Sequence, residues 1–176
     1  MPNAPFADLN LLGRGRHLLE IGGRLPLNWT SSLAAGLASH GIGIVEGRAL
    51  RTHLDWAGSF VLDTSGATTD PGSLDMLTLA KADTRAAGDT EIHLTRFTCR
   101  RLEHGLEVRV FGPDQQGFLA RLFGRFALLT LFPSRFEIST TDDGIDDTFV
   151  VTGIGGVVPS AAAAAACERM LRDCVR

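Results

Sequence analysis

Two stretches of the chain change their hydrophobic period in the same order. From 106 to 111, apolar Leu106, Val108 and Val110 alternate with Glu107 and Arg109, which predicts a strand with one buried face. Gly112-Pro113-Asp114 ends it. From Gly117 the spacing turns helical: Leu119, Leu122, Phe123 and Phe126 fall at i, i+3, i+4 and i+7 on one stripe. Alternation returns with Phe136, Ile138 and Thr140 against Arg135, Glu137 and Ser139. The run 142–146 reads as a turn and 149–151 as the returning strand. Beyond 153–159, Ser160 is the expected N-cap of a last helix that reaches about Cys174 and is favoured by its alanines.

A displacement of 89 positions carries the first half of the chain onto the second without a gap over 23–60. Gly23 meets Gly112, Leu33 meets Leu122, Thr52 meets Thr141 and Phe60 meets Phe149. Thr30, Leu33, Ala34 and Leu37 make a smaller version of the second helical stripe. The first half predicts a strand over 17–22, a helix over 29–39, strands over 42–52 and 56–64, a helix over 71–86 and a strand over 90–99. That order is β-α-β-β-α-β, the split βαβ arrangement of the ferredoxin-like fold, an α+β class whose antiparallel sheet is covered on one face by two helices. The division expected is an N-terminal extension over 1–16, a first unit over 17–102 and a second over 103–176. The second unit ends after its helix, so its fourth strand is missing. Either 6–12 supplies it, or the first strand of that unit is an open edge or one paired with a partner.

Composition narrows the function. Hydrophobic residues are 44% and charged residues 21% of the 176, as in an ordinary globular chain. The formal net charge of −3 provides no positive field for nucleic acid or an anionic membrane, so direct nucleic-acid binding is not expected. Arg14, Arg16, Arg100 and Arg101 are local basic pairs that read as solvated. Cys99, Cys167 and Cys174 are odd in number and lack metal spacing, so buried reduced thiols are expected. No apolar run reaches membrane-span length, and the start of the chain lacks a signal-peptide pattern; a cytoplasmic protein follows as the expectation.

Catalytic and metal signatures are weak. Gly41-Ile42-Gly43 and Gly153-Ile154-Gly155-Gly156 do not complete a phosphate loop and read as turns. Asp142, Asp143, Asp146 and Asp147 lack the alternating oxygens and terminal glutamate of a calcium loop, and an exposed hairpin turn is the better reading. His17, His40, His53, His93 and His104 form no metal spacing; His17 and Glu20 fall on opposite faces of a strand. No serine or cysteine sits in a nucleophile-elbow context. A non-catalytic protein without cofactor or metal is expected, with the phenylalanines in its core.

The segment Val108-Arg109-Val110-Phe111-Gly112-Pro113-Asp114-Gln115-Gln116-Gly117-Phe118-Leu119-Ala120 resembles the strand–G-x-D-x-x-G-hydrophobic–helix pattern of the ACT domain, the small-molecule-sensing module of amino-acid metabolism. The acidic hairpin and Asp147-Thr148-Phe149-Val150-Val151 also sit where that family expects them. A chain of two such units is similar to tandem-ACT regulators such as the glycine cleavage transcriptional repressor group, over roughly residues 17–176. The resemblance implies paired sheets side by side, effector sites at the interface of the units, and a ligand amino or carboxylate group met by the loop after the first strand. Here those residues are Gly112, Pro113, Asp114, Gln115, Gln116, Gly117, Phe118 and Leu119. Glycine there admits a ligand to the backbone, and N–H groups ahead of a helix favour an anion; Asp114 either caps the helix or pairs with an ammonium group. The first unit departs from the pattern, with Arg24-Leu25-Pro26-Leu27-Asn28-Trp29 in its loop. An asparagine often found at the start of the family's second strand is also absent, with Gly43 in one unit and Phe132-Pro133 in the other. The function implied is an amino-acid-sensing regulator that acts on a protein partner or on gene regulation; a homodimer is expected separately, from the unfinished sheet edge. The alternative is a ligand-free interaction module that docks a protein through its sheet edge or helical face.

Overall fold

Four two-residue turns fold the chain into two equivalent halves. The computed structural model describes residues 3–83 and 91–176, and it is an α+β protein with one antiparallel sheet of eight strands. β1 (Phe6–Gly13) and β2 (Arg16–Gly23) form a hairpin across Arg14 and Gly15, whose φ values are 54° and 71°. Positive φ at both central residues matches the natural twist of paired strands. α1 (Trp29–Ser39), β3 (Gly43–Thr52) and β4 (Asp55–Asp63) follow, then a 3-10 turn (Pro71–Ser73) and α2 (Met76–Lys81). The second half repeats that order as β5 (Arg96–Leu102), β6 (Gly105–Gly112), α3 (Phe118–Leu128), β7 (Phe132–Thr141), β8 (Gly144–Thr152) and α4 (Ala161–Arg172). The 89-residue displacement maps β2, α1, β3 and β4 onto β6, α3, β7 and β8 with identical boundaries. The duplication is therefore longer than the 23–60 span legible in the residues.

The sheet order is β1-β2-β4-β3-β7-β8-β6-β5, with β3 and β7 joining the halves through Arg48 opposite Glu137 and Ala49 opposite Phe136. Two expectations about the outer strands are corrected here. The segment 6–12, expected to lie in an N-terminal extension outside both units or to complete the second, is β1 and pairs with β2 of its own half. The strand expected to close the first unit is β5, and it pairs with β6 of the second. The second half thus has four strands, and among the described residues neither half ends in a strand. The physical reason is turn length: Leu102 faces Gly105 across a two-residue loop, and so short a connection pairs the strands it joins. What remains of a strand after α4 is one parallel bridge from Val175 to Leu94. The helix expected over 71–86 is shorter, a 3-10 turn followed by α2, because Asp75 caps at that point by accepting the Thr78 N–H at 3.1 Å. The remainder of that prediction, with the start of the strand expected at Thr90, falls outside the described residues.

One sheet face is buried under the helices. Leu19, Ile21, Phe60, Leu62, Val108, Val110, Phe136 and Phe149 point into it from alternate strand positions. Phe136 lies where the halves meet, with ring centroids 6.3 Å from Trp29, 5.9 Å from Phe60, 5.5 Å from Phe123 and 6.2 Å from Phe149. Gly47 makes room for this aromatic cluster: a Cβ there would run into the Phe60 ring. The opposite face carries charge, including Arg109 bound bidentately to Asp146 at 2.7 and 2.6 Å. Cys99, Cys167 and Cys174 are free thiols, the last two buried. No helix among the described residues is long and apolar enough to cross a membrane.

Both α1 and α3 end in the same cap. Gly41 N–H donates to Ala38 O and Ile42 N–H to Leu37 O, and Thr130 N–H to Ala127 O and Leu131 N–H to Phe126 O repeat the pattern. The cap needs a left-handed residue, supplied by Gly41 at φ 71° and by Thr130 at φ 59°. A β-branched residue is strained there. Thr130→Gly should therefore stabilise the protein by about 1 kcal/mol, read from the urea midpoint.

Candidate functional site

The loop between β6 and α3 is held from both ends. At Gly112 a Cβ would come within 2.7 Å of His93 O, so only glycine lets the chain pass. The Gln115 side chain acts as a strand partner to His93: its Nε2 donates to His93 O at 2.8 Å and its Oε1 accepts the His93 N–H at 3.0 Å. Gly117 occupies the N-cap of α3 at φ 71°, and no side chain caps that helix. Asp114 is therefore not the cap, which settles one of its two expected roles. Arg121 Nη1 donates to Gln116 O at 2.9 Å and braces the loop from the helix.

This loop forms one wall of a cleft of about 350 Å³ between the halves. Ala34 and Ala38 of α1 and the segment 41–45 form the other wall. Six of the residues expected from sequence line it: Asp114, Gln115, Gln116, Gly117, Phe118 and Leu119. Gly112 and Pro113 do not; they shape the turn behind it. Gly117 presents its bare Cα toward the opposite wall, where a Cβ would lie 3.8 Å from Ala38 Cβ.

The sequence reading placed Asp147 in an exposed acidic turn, and this is corrected. Its side chain is 1% exposed and lines the floor of the cleft with Ile138 and Ile145. Parity carried the signal: counting back by twos from Val151 and Phe149 puts Asp147 and Ile145 on the buried face. Burial pushes the carboxyl up to about 7, aided by the negative charges of Asp146 and Asp114 and opposed by the Ser139 N–H, which donates to Asp147 Oδ1 at 3.0 Å.

The halves differ most at these positions. Displacement by 89 places Gly58, Trp56 and Trp29 where the second half has Asp147, Ile145 and Phe118. Both indoles are buried and meet edge-on with centroids 5.2 Å apart. Bulky rings thus take up, in the first half, the positions that frame open space in the second. Among the described residues, no three His, Cys, Asp or Glu side chains gather as a metal site requires. Comparison with protein-family models, with curated proteins and with solved structures finds no match to this chain.

Proposed function

We propose that this chain is a non-catalytic regulatory protein of the tandem-ACT type, two ferredoxin-like units side by side, whose inter-unit cleft binds an amino acid or a similar small molecule. In each half, β2-α1-β3-β4 or β6-α3-β7-β8 forms the core of such a unit, and the hairpin strand β1 or β5 takes the outer position that a fourth strand would fill. The observation that carries the functional reading is the meeting, in one cleft, of the uncapped N-terminus of α3 with a buried carboxylate, Asp147. The first favours a ligand carboxylate and the second an ammonium group, the two charges of a free amino acid. A ligand held there touches both units. It shifts their packing, and so the affinity for a protein partner or a gene-regulatory target, to the extent that it binds one arrangement better than the other.

The interaction-module alternative drew on the degenerate loop of the first unit and on a missing strand in the second; β5 occupies that strand's position, and the first loop is what still supports it. A thermal-shift screen against the twenty proteinogenic amino acids tests the sensor reading. A ligand that binds only the folded chain, present at a hundred times its Kd, adds about 2.7 kcal/mol of stability and raises the melting temperature. A selective, concentration-dependent rise is expected; a flat response across the panel removes the proteinogenic amino acids as ligands.

A further inference from the structure

The charge of the cleft is one-sided, and the inference drawn from it rests on the reading of the cleft as a ligand site. Asp63, Asp114 and Asp147 line it, whereas no lysine, arginine or histidine does. Asp147 is 1% exposed; one oxygen accepts the Ser139 N–H at 3.0 Å, and the other receives no hydrogen bond from the described residues. The fold does not require an acid at this point, because the first half has Gly58 at the equivalent position and pairs it normally with Ile21 and Ala49. A buried carboxylate without a counter-ion is costly, so a cation that reaches it is strongly favoured.

Asp63 is ionised from the other rim. It accepts the Ser65 hydroxyl at 2.6 Å and the Ser65 N–H at 3.0 Å, and these bonds, with a smaller contribution from the Arg16 charge, hold its carboxyl below the usual range. Asp114 is exposed on the loop. The three acids share a cleft without gathering into a metal site, which suits an extended organic cation better than a compact metal ion. Against them stand the α3 N-terminus and two guanidinium groups outside the lining: Arg121, held behind Gly117 by its bond to Gln116 O, and Arg16, near Asp63.

We propose that the cleft selects an organic amine of net positive charge, one with more ammonium groups than carboxylates, and that Asp147 is its buried counter-ion. The test is isothermal titration of the full chain with four probes of similar length: L-lysine, 1,5-diaminopentane, L-norleucine and L-2-aminoadipate. Lysine and the diamine should bind, norleucine at least tenfold more weakly than lysine, and aminoadipate not measurably. Asp147→Asn keeps the acceptor for Ser139 and removes the charge; it should reduce the lysine-over-norleucine preference at least fivefold. Asp114→Asn, at an exposed site, should reduce it in the same direction and guards against a folding defect in the first variant. Norleucine or aminoadipate binding as tightly as lysine overturns the charge selection but leaves the ligand site standing. An unchanged preference in both variants overturns the role given to the carboxylates. If neither the diamine nor any proteinogenic amino acid binds, the ligand site itself falls, and this inference with it.

Discussion

Asp147→Asn should flatten the pH dependence of stability and make the protein more stable than the wild type at pH 8. In the folded chain the Asp147 carboxyl is pushed from its usual 3.8 up to about 7. Between those values the folded protein holds a proton that the unfolded chain has released. Stability from this group is thus complete below pH 4 and is lost as pH rises through about 7. The full loss is on the order of 4 kcal/mol, since each pH unit of displacement is worth about 1.4 kcal/mol. Asparagine keeps an oxygen for the Ser139 N–H and has nothing to ionise. At pH 8 it should gain on the order of 2 kcal/mol, the rest being offset by burying an amide with unmet donors. Asp63, Asp75 and Asp146 have carboxyls held below the usual range and change stability in the opposite sense, in acid. Urea denaturation at pH 5 and pH 8, wild type minus variant, isolates Asp147. Parallel pH profiles for the two proteins would show that the carboxylate is not buried as described.

Phe136→Ala should destabilise the protein by about 3–5 kcal/mol. The ring is 2% exposed and is contacted by aromatics of both halves: Trp29, Trp56 and Phe60 from the first, Phe123 and Phe149 from the second. Its removal leaves a cavity at the join of β3 and β7 that rigid neighbours cannot fill. Phe136→Leu, which returns most of the volume, should cost less than half as much. A loss below about 1 kcal/mol for the alanine variant would mean that the halves are not held by this cluster.

The parts of the fold set by local pattern were legible in the sequence. α1 runs over Trp29–Ser39 as its stripe predicts, Ser160 caps the last helix by accepting the Ala163 N–H at 3.1 Å, and the repeat emerges from matched periodicities. The outer strands were misassigned because strand pairing is decided between segments. The alternation of Ala7, Leu9 and Leu11 with Asp8 and Asn10, followed by Gly13-Arg14-Gly15, held the hairpin signal; the competing β-α-β-β-α-β order outweighed it. Six residues of the candidate site came from the glycine-bounded loop alone. Asp147 was missed for a physical reason: a run of aspartates reads as solvated, and only the parity of β8 separates the inward Asp147 from Asp146, which faces Arg109 on the open face.

The central claim is that the space between the halves is the binding site, and its opposite wall offers the most direct test. Ala38 lies on α1, half-buried, facing Gly117 across the cleft. Phenylalanine there fills the opening without straining the backbone, since a helix accepts it at small cost. The measurement is the affinity of Ala38→Phe for whichever amino acid or amine the wild-type chain binds, by isothermal titration, beside the melting temperature of the unliganded variant. The expected result is at least a tenfold loss of affinity with the melting temperature kept within a few degrees. Unchanged affinity would contradict the account and place the ligand elsewhere on the molecule.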